Sequence, residues 1–586
     1  MSSAAEENII GKGTWIDKIA YTVVEREKKL GRPTTNIKVE SGLGASGIPH
    51  IGSMGDAVRA YGISLALQNL GYSSELIAFS DDLDGLRKVP VGLPKWLENH
   101  ICKPVSAIPD PFGDCHASYG QHMSSLLLEG LDSAGIKYTF KSGTETYKSG
   151  VLTEPTHIIL SNSKLIGDKI SESTGQQKYL KFLPYFPICE NCNRLYVANT
   201  IDYLENERAV TYTCTGNTIG KKLVQGCGHT GQVKISSGNG KLAWKVEFAA
   251  RWQAFDIKFE AFGKDIMDSV KINDWVSDEI LKFNHPLHAK YEMFLDKGGK
   301  KISKSAGNVL TPQMWLKYGS PESLLLLLYK RISGTRHVGI DDIPALMDEY
   351  DLFEDVFFAK INEPNDSKRL KMNGVYEYIN SLRPPADDSS SVHIPYRILI
   401  QQANLFKNQI VEGSEQVPPI LHTIFERLKK YRLVKEEDIK KKDLIDRITL
   451  AINWVRDFNG PSEGDDQGQG VKDDNRRGNE KVEMNNVQKE VIFKIAKDLT
   501  NLVAAASIRN KTKDAIVAQD DDLAQDVQTI IFDNARSSNL QPKEIFRILY
   551  KILINTEKGP KLGNYIVDLG IENVVKLIEN KTPSEH

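Results

Sequence analysis

The chain has no long apolar run. Its longest uninterrupted one is Leu324–Tyr329, far short of the roughly 20 residues a membrane helix needs, so no span is expected. Met1–Ala20 carries no basic cluster followed by an apolar stretch, which argues against a secretory leader and makes the cytoplasm the expected compartment. Cysteine is scarce, six in 586 residues, which excludes a disulfide scaffold. An excess of one charge is also missing. Lysine and arginine number 75 against 77 aspartates and glutamates, a net charge of −2. Bulk charge therefore argues neither for nor against nucleic-acid binding, which needs only a local basic face. No internal repeat is present.

What is there exceeds a single core: 586 residues imply two to four domains. The balance of 40% hydrophobic and 26% charged residues is that of a soluble globular protein. The first third reads as strand–turn–helix units. Ile37–Glu40 is a strand, Ser41–Gly47 a glycine-rich turn, and a helix opens near Ile51 with Met54, Ala57, Val58, Tyr61 and Leu65 at helical spacing. Glu75–Ser80 is a second strand. This alternation predicts a mostly parallel α/β sheet over residues 1–345, interrupted by a turn-rich, cysteine-bearing insertion at 180–235. Residues 346–586 read as all-α, with helices at Leu421–Tyr431, Glu490–Ala506 and Lys543–Asn555. Inside that half, 459–483 is polar, glycine-rich and charged, and is expected to be disordered.

The turn after the first strand contains Gly42, Gly44 and Gly47 in a G-x-G-x-x-G spacing, followed by Pro49-His50-Ile51-Gly52. Proline suits the turn before a helix because its φ is preset and its missing N–H costs little there. Gly52 would admit a close neighbour. A helix N-terminus offers unpaired N–H groups and a positive dipole end to an anion, and His50 could donate a hydrogen bond to a phosphate oxygen. Much later, Gly298-Gly299-Lys300-Lys301-Ile302-Ser303-Lys304-Ser305 makes a hinged cationic loop. Such a loop can close over a triphosphate and neutralise the departing pyrophosphate.

Together, Pro49-His50-Ile51-Gly52 and Lys301-Ile302-Ser303-Lys304-Ser305 resemble the HIGH and KMSKS signatures of class I aminoacyl-tRNA synthetases. Ser53 stands where the first signature has its second histidine, and Ile302 replaces the methionine of the second. Ser41–Gly52, Phe79–Pro90, Asp110–Gly113, Phe248–Trp252, Gly263–Asp265, Tyr291-Glu292 and Glu557–Gly563 are similar to stretches of class I lysyl-tRNA synthetases. The resemblance implies a Rossmann-like catalytic domain and a helical anticodon-binding region. It also implies ATP-dependent lysyl-adenylate formation with Mg²⁺, and transfer to tRNA(Lys). It places ATP on Gly42, Gly44, Gly47, Pro49, His50, Gly52, Gly263, Asp265, Ser303 and Lys304, with His50, Lys301 and Lys304 serving catalysis.

A lysine substrate brings two ammonium groups and calls for anionic partners with few competing cations. Asp81, Asp82 and Asp84 follow the second strand, where open α/β sheets bind ligands. By analogy with glutamyl-type enzymes Asp81 would hold the α-ammonium, leaving Asp82 or Asp84 for the ε-ammonium. Trp252 and Tyr291 would pack on the aliphatic stem.

Cys189-x-x-Cys192 is a metal knuckle, and Cys214 with either Cys227 or His229 would complete a structural zinc site bracing the insertion against the tRNA. Cys102 and Cys115 show no metal partners in the linear sequence. A monomer is favoured. The rival readings are a glutamyl-type or cysteinyl enzyme, a smaller nucleotidyltransferase, an NAD-dependent oxidoreductase, and a degenerate tRNA-binding paralogue. Glutamate would demand a cationic side-chain pocket, and a degenerate module would not need intact His50, Lys301 and Lys304.

Overall fold

Parallel strands need long crossovers, and helices supply them here. In the computed structural model, residues 9–300, 309–387, 391–407, 410, 417–458, 484–509, 518–554, 557, 559 and 561–582 are described. Five strands form the main sheet: β1 (Asn36–Leu43), β2 (Ser73–Ser80), β3 (Thr139–Ser142), β4 (Ile257–Gly263) and β5 (Leu287–Tyr291). All pair in parallel, in the order β5-β4-β1-β2-β3. The order reverses beside β1, so a crevice opens outside the carboxyl ends of β1 and β4.

The first strand is longer than its apolar residues suggest. Ser41, Gly42 and Leu43 pair with Ala78, Phe79 and Ser80, so the turn begins at Gly44 rather than Ser41. Helix α1 (Trp15–Lys29) and helix α2 (Ile51–Asn69) both pack near the sheet. Helix α2 opens at Ile51 as expected and is buried on nearly every side. A helix apolar all round belongs inside a core, and this one lies between the sheet, α1 and Pro321–Tyr329.

The insertion is a β-rich module. Tyr185–Pro187 pairs antiparallel with Gly240–Leu242, so the second strand of this two-stranded stem lies beyond the end expected at 235. Ala198–Leu204, Ala209–Cys214 and Thr230–Lys234 form a three-stranded antiparallel sheet, and Gly216–Ile219 with Lys222–Gln225 forms a hairpin.

The chain divides into compact units at Met1–Ala386 and Asp387–His586. The first therefore extends past the boundary expected at 345, because Ile343–Phe357 and Asp366–Ile379 pack on Pro321–Tyr329. Asp17 pins this extension. One of its oxygens accepts from the Thr14 N–H and hydroxyl, and the other accepts from the Tyr378 hydroxyl at 2.5 Å. Among its described residues the second unit is all-α, and the three expected helices lie within Val417–Lys430, Asn486–Arg509 and Pro542–Ile554, apart from the last expected residue of the first and third. The expected disordered stretch 459–483 lies outside the described residues. No described helix is long and apolar enough to cross a membrane.

Asp17→Ala should destabilise the first unit by about 2–3 kcal/mol, since it strips a cap and strands a buried hydroxyl. Thermal unfolding of the full chain checks this, the expected result being an earlier first transition with the second unit's transition unmoved.

Candidate active site

A cavity of about 490 Å³ occupies the crevice at the carboxyl ends of the sheet. Its walls come from the loop after β1, the start of α2, the ends of β2, β4 and β5, and the helix Trp244–Phe255. His50 is the N-cap of α2, and its Nδ1 accepts from the Ser53 N–H at 3.2 Å. That hydrogen bond assigns the ring proton to Nε2, which makes the imidazole a donor on its other edge. Gly52 is required by the same ring, because a Cβ there would meet His50 Nδ1 and Cε1 at 2.8 Å. Gly42, Gly44, His50, Gly52 and Ser53 line the cavity. Gly47 and Pro49 are buried and do not, so they shape the turn from beneath.

The other nucleotide candidates, Gly263 and Asp265, sit in the wall at the end of β4. A side chain at Gly263 would collide with Asp265 Oδ1 at 2.7 Å and Met293 Sδ at 2.9 Å. Tyr291 also lines the cavity; its hydroxyl donates to Asp56, and the Arg59 guanidinium stacks 4.3 Å from its ring centroid. Lys301, Ser303 and Lys304 lie outside the described residues. The chain on both sides of them nevertheless reaches the start of α2. Phe294 approaches Gly52, and the Leu310 carbonyl accepts from the Ile51 N–H at 2.9 Å.

The three aspartates separate. Asp81 and Asp84 line the cavity, whereas Asp82 turns away to accept from Ser142 Oγ at 2.5 Å and the Thr144 N–H at 2.7 Å. Asp82 is thus a structural cap for the segment after β3. Asp81 accepts from Lys241 Nζ at 2.5 Å and Trp244 Nε1 at 2.7 Å. Asp84 accepts from the Tyr196 hydroxyl and lies 3.4 Å from both Lys241 and Arg87. Lys241, an unforeseen buried cation from the insertion stem, also pairs with Glu247 at 3.2 Å. Burial opposes its charge, but Asp81, Glu247 and Asp84 outweigh that and hold the ammonium pKa well above its ordinary value. Burial likewise works against ionised Asp81, yet the Lys241 ammonium lowers its pKa overall. Glu247 is pushed up to about 7 by burial, against the pull of Lys241.

Trp252 is fully buried and does not line the cavity; its Nε1 donates to Glu260 Oε2 at 2.5 Å. The aromatic wall is Trp244, Phe248, Phe79 and Tyr291 instead. Trp244 stands eight residues before Trp252, and only contact with the sheet chooses between them.

Among the described residues, two clusters of potentially metal-ligating side chains lie outside the cavity. Cys189, Cys192, Cys214 and Cys227 converge, with Sγ–Sγ distances of 3.6 Å (Cys189–Cys227) and 3.7 Å (Cys192–Cys214). A tetrahedral zinc with Zn–S of about 2.3 Å requires S···S edges of about 3.75 Å, whereas a disulfide would need about 2.05 Å. His229 is not in this group; its ring nitrogen lies 3.7 Å from Glu190. The second cluster, Asp110, Cys115, His116 and His122, corrects the expectation that Cys115 has no metal partners. Cys115 Sγ lies 3.2 Å from Asp110 and His116 and 3.3 Å from His122, and the two histidine Nδ1 atoms are 3.1 Å apart. The Cys115-His116 pair with His122 six residues on was the available signal.

A family model described as tRNA synthetases class I (K) matches residues 13–381. The chain belongs to that family. It is 47% identical over 575 residues to a lysine–tRNA ligase of Cenarchaeum symbiosum strain A, covering 98% of this chain and 100% of that one. A second Cenarchaeum symbiosum lysine–tRNA ligase is 46% identical, covering 98% of this chain and 99% of its own. The lysine–tRNA ligase of Rickettsia felis is 28% identical, with 97% and 98% coverage. In this class I chain the expected His50, Gly42, Gly44, Gly52, Asp81, Asp84, Gly263, Asp265 and Tyr291 share one cavity. Asp82, Trp252, Gly47 and Pro49 support it from outside, and Lys241, Trp244, Arg251 and Glu260 went unforeseen.

Glu247 holds its proton more tightly when folded, at about 7 against an ordinary 4.5. Its contribution is therefore full below the lower value and is lost as pH rises through the higher one. Melting temperature measured from pH 5 to 8 should fall less in Glu247→Gln than in the wild type.

Proposed function

We propose that this chain activates L-lysine with ATP to lysyl-adenylate and transfers the lysyl group to tRNA(Lys). The observation that carries the reading is the cavity itself: a helix N-terminus capped by His50 opens into it, and acidic and aromatic walls face it. A lysine carboxylate oxygen attacks the α-phosphorus of ATP, the bond to the β-phosphate oxygen breaks, and pyrophosphate leaves. The carboxylate is already ionised, so no general base is needed and catalysis is positioning plus charge neutralisation. The phosphates sit at the α2 N-terminus with His50 Nε2 as donor, beside Gly42, Gly44 and Gly52. Gly263 and Asp265 take the ribose. Lys301, Ser303 and Lys304 gather the pyrophosphate; Mg²⁺, when bound with ATP, supplies further neutralisation. Asp81 takes the α-ammonium, since a carboxylate that already accepts two hydrogen bonds has lone pairs left. A ribose hydroxyl of the terminal tRNA adenosine then attacks the lysyl carbonyl, and AMP leaves. The helical second unit is assigned to the anticodon.

Zinc fits both side-chain clusters by donor type and spacing. Cys189, Cys192, Cys214 and Cys227 would hold one ion and brace the insertion. Asp110, Cys115, His116 and His122 would hold another, tying the preceding loop to the first turn of the helix Tyr119–Ser133, whose Tyr119 hydroxyl donates to the Ser46 carbonyl at 3.0 Å. Each ion, with four protein ligands, would act as a structural cross-link.

Lys304→Ala should reduce lysine-dependent ATP–pyrophosphate exchange at least tenfold while leaving lysine binding near wild type. Unchanged exchange would remove the role given to the loop, and exchange with another amino acid in place of lysine would overturn the substrate. Elemental analysis should find two zinc ions per chain, with Cys192→Ser and His122→Ala each losing one. Two ions retained in either variant, or fewer than two in the wild type, would refute this assignment.

A further inference from the structure

A buried cation without a hydrogen-bond partner lies behind the cavity wall at the start of α2. Arg59 is 1% exposed, and none of its three guanidinium nitrogens meets an acceptor. Lys241 and Arg251, by contrast, each have carboxylates within ion-pair distance. Arg59 meets aromatic rings instead. Its guanidinium lies 4.3 Å from the Tyr291 ring centroid and 5.9 Å from that of Phe294. Gly55 makes room for it, since a Cβ there would meet Arg59 Nη1 at 2.8 Å. Burial pulls the Arg59 pKa down to about 10, with the Asp56 carboxylate opposing the fall.

We propose that Arg59 is a positioning residue for ATP, whose charge offsets the Asp56 carboxylate and so keeps the wall at the start of α2 attractive to phosphate. This rests on the placing of ATP argued above. Asp56 lines the cavity together with His50, Gly52 and Ser53. A carboxylate on that wall repels a triphosphate and works against the helix N-terminus. Arg59 follows Asp56 by three residues, on the same face of α2. Tyr291 joins the two, because its hydroxyl donates to Asp56 while its ring lies over the guanidinium. Arg59 does not line the cavity, so it acts through its charge and through Tyr291 rather than by touching the substrate.

Packing alone does not call for this cation. An apolar side chain of similar length would cover Tyr291 and Phe294 without the cost of desolvating a charge. Contact with the ring faces returns only part of that cost. The charge, not the shape, is the feature that needs a reason. Behind the wall it is shielded from water and salt, so it acts over a distance at which an exposed lysine would be screened. Arg336 reinforces it. Its guanidinium lies 4.6 Å from the Phe294 ring centroid and donates to the Leu327 carbonyl. Burial pulls the Arg336 pKa down to about 9, and the charges of Arg59 and Arg331 add to the fall.

The sign of the effect follows. Deleting the Arg59 charge leaves Asp56 to act on the wall alone with the phosphates, so a ligand weakens in step with the phosphate charge it carries. Deleting both charges returns the balance. A nucleoside without phosphate is indifferent to either change.

Titration calorimetry on the full chain, with MgATP and with adenosine, tests this. Arg59→Met keeps an apolar stem against Tyr291 and Phe294 and deletes the charge. It should weaken MgATP at least tenfold and leave adenosine within about threefold of wild type. Asp56→Asn keeps an acceptor for the Tyr291 hydroxyl, and combining it with Arg59→Met should restore MgATP to within about threefold. Arg59→Lys, which retains the charge, should bind MgATP more tightly than Arg59→Met. MgATP weakened less than tenfold in Arg59→Met would overturn the proposal. So would MgATP and adenosine weakened alike, or a defect that persists in the double variant, because either marks a loss of shape rather than of charge. Wild-type protein that fails to bind MgATP would instead defeat the reading of the cavity on which the proposal stands.

Discussion

The buried ammonium of Lys241 is the interaction on which this cavity depends. It sits on the short stem strand that closes the insertion and reaches Asp81 and Asp84 at the end of β2 and Glu247 on the following helix. The segment after β2 and the stem with its following helix, about 160 residues further along the chain, are thereby held at one point. An unpaired charge in such a place costs several kcal/mol, and breaking a buried pair by deleting one partner typically costs about 3–5 kcal/mol. The arrangement therefore tolerates little rearrangement. Arg251 repeats the device one helical turn further on, joining Glu40 on β1 and Glu260 on β4. The helix Trp244–Phe255 is riveted across the sheet by these two cations, and its Trp244 and Phe248 become the cavity's aromatic wall.

A second constraint acts at the start of α2. His50 uses one ring nitrogen to cap the helix, which frees the orientation of its other edge from chance. Gly52 exists to let that ring lie against the backbone. The chain before and after the lysine loop touches the same turn, through Phe294 and Leu310. The helix dipole and the capping imidazole thus stand beside both flanks of residues 301–308.

The insertion and the loop ahead of Tyr119 are poor in long apolar segments, and each carries a cluster of metal-ligating side chains instead. Both are connected to the cavity: the insertion supplies Tyr196 and the stem supplies Lys241, and Tyr119 holds the carbonyl of Ser46. Structural precision in the cavity is therefore partly imported from outside the sheet.

The residue order by itself was enough to read the parallel α/β half, the helical half, the helix start at His50, and the four-cysteine set with His229 as the rival to Cys227. Those features are local: periodicity, a helix start, a knuckle on one turn. Four things were settled by tertiary structure alone. Asp81, Asp82 and Asp84 look equivalent in sequence, but a strand end points consecutive side chains in different directions, and Asp82 caps a neighbouring segment. Trp244 and Trp252 share a helix face, and the sheet beneath decides which one sees the cavity. The fourth cysteine was chosen over His229 by convergence of sulfur atoms, and the boundary near 345 moved because later helices pack back on the first unit. Glu260 and Lys241 were invisible because nothing in a linear sequence marks which buried charges lie opposite one another. Chain order carries local conformational preference, whereas electrostatic pairing across a sheet belongs to three-dimensional distance, and the cavity is built from the latter.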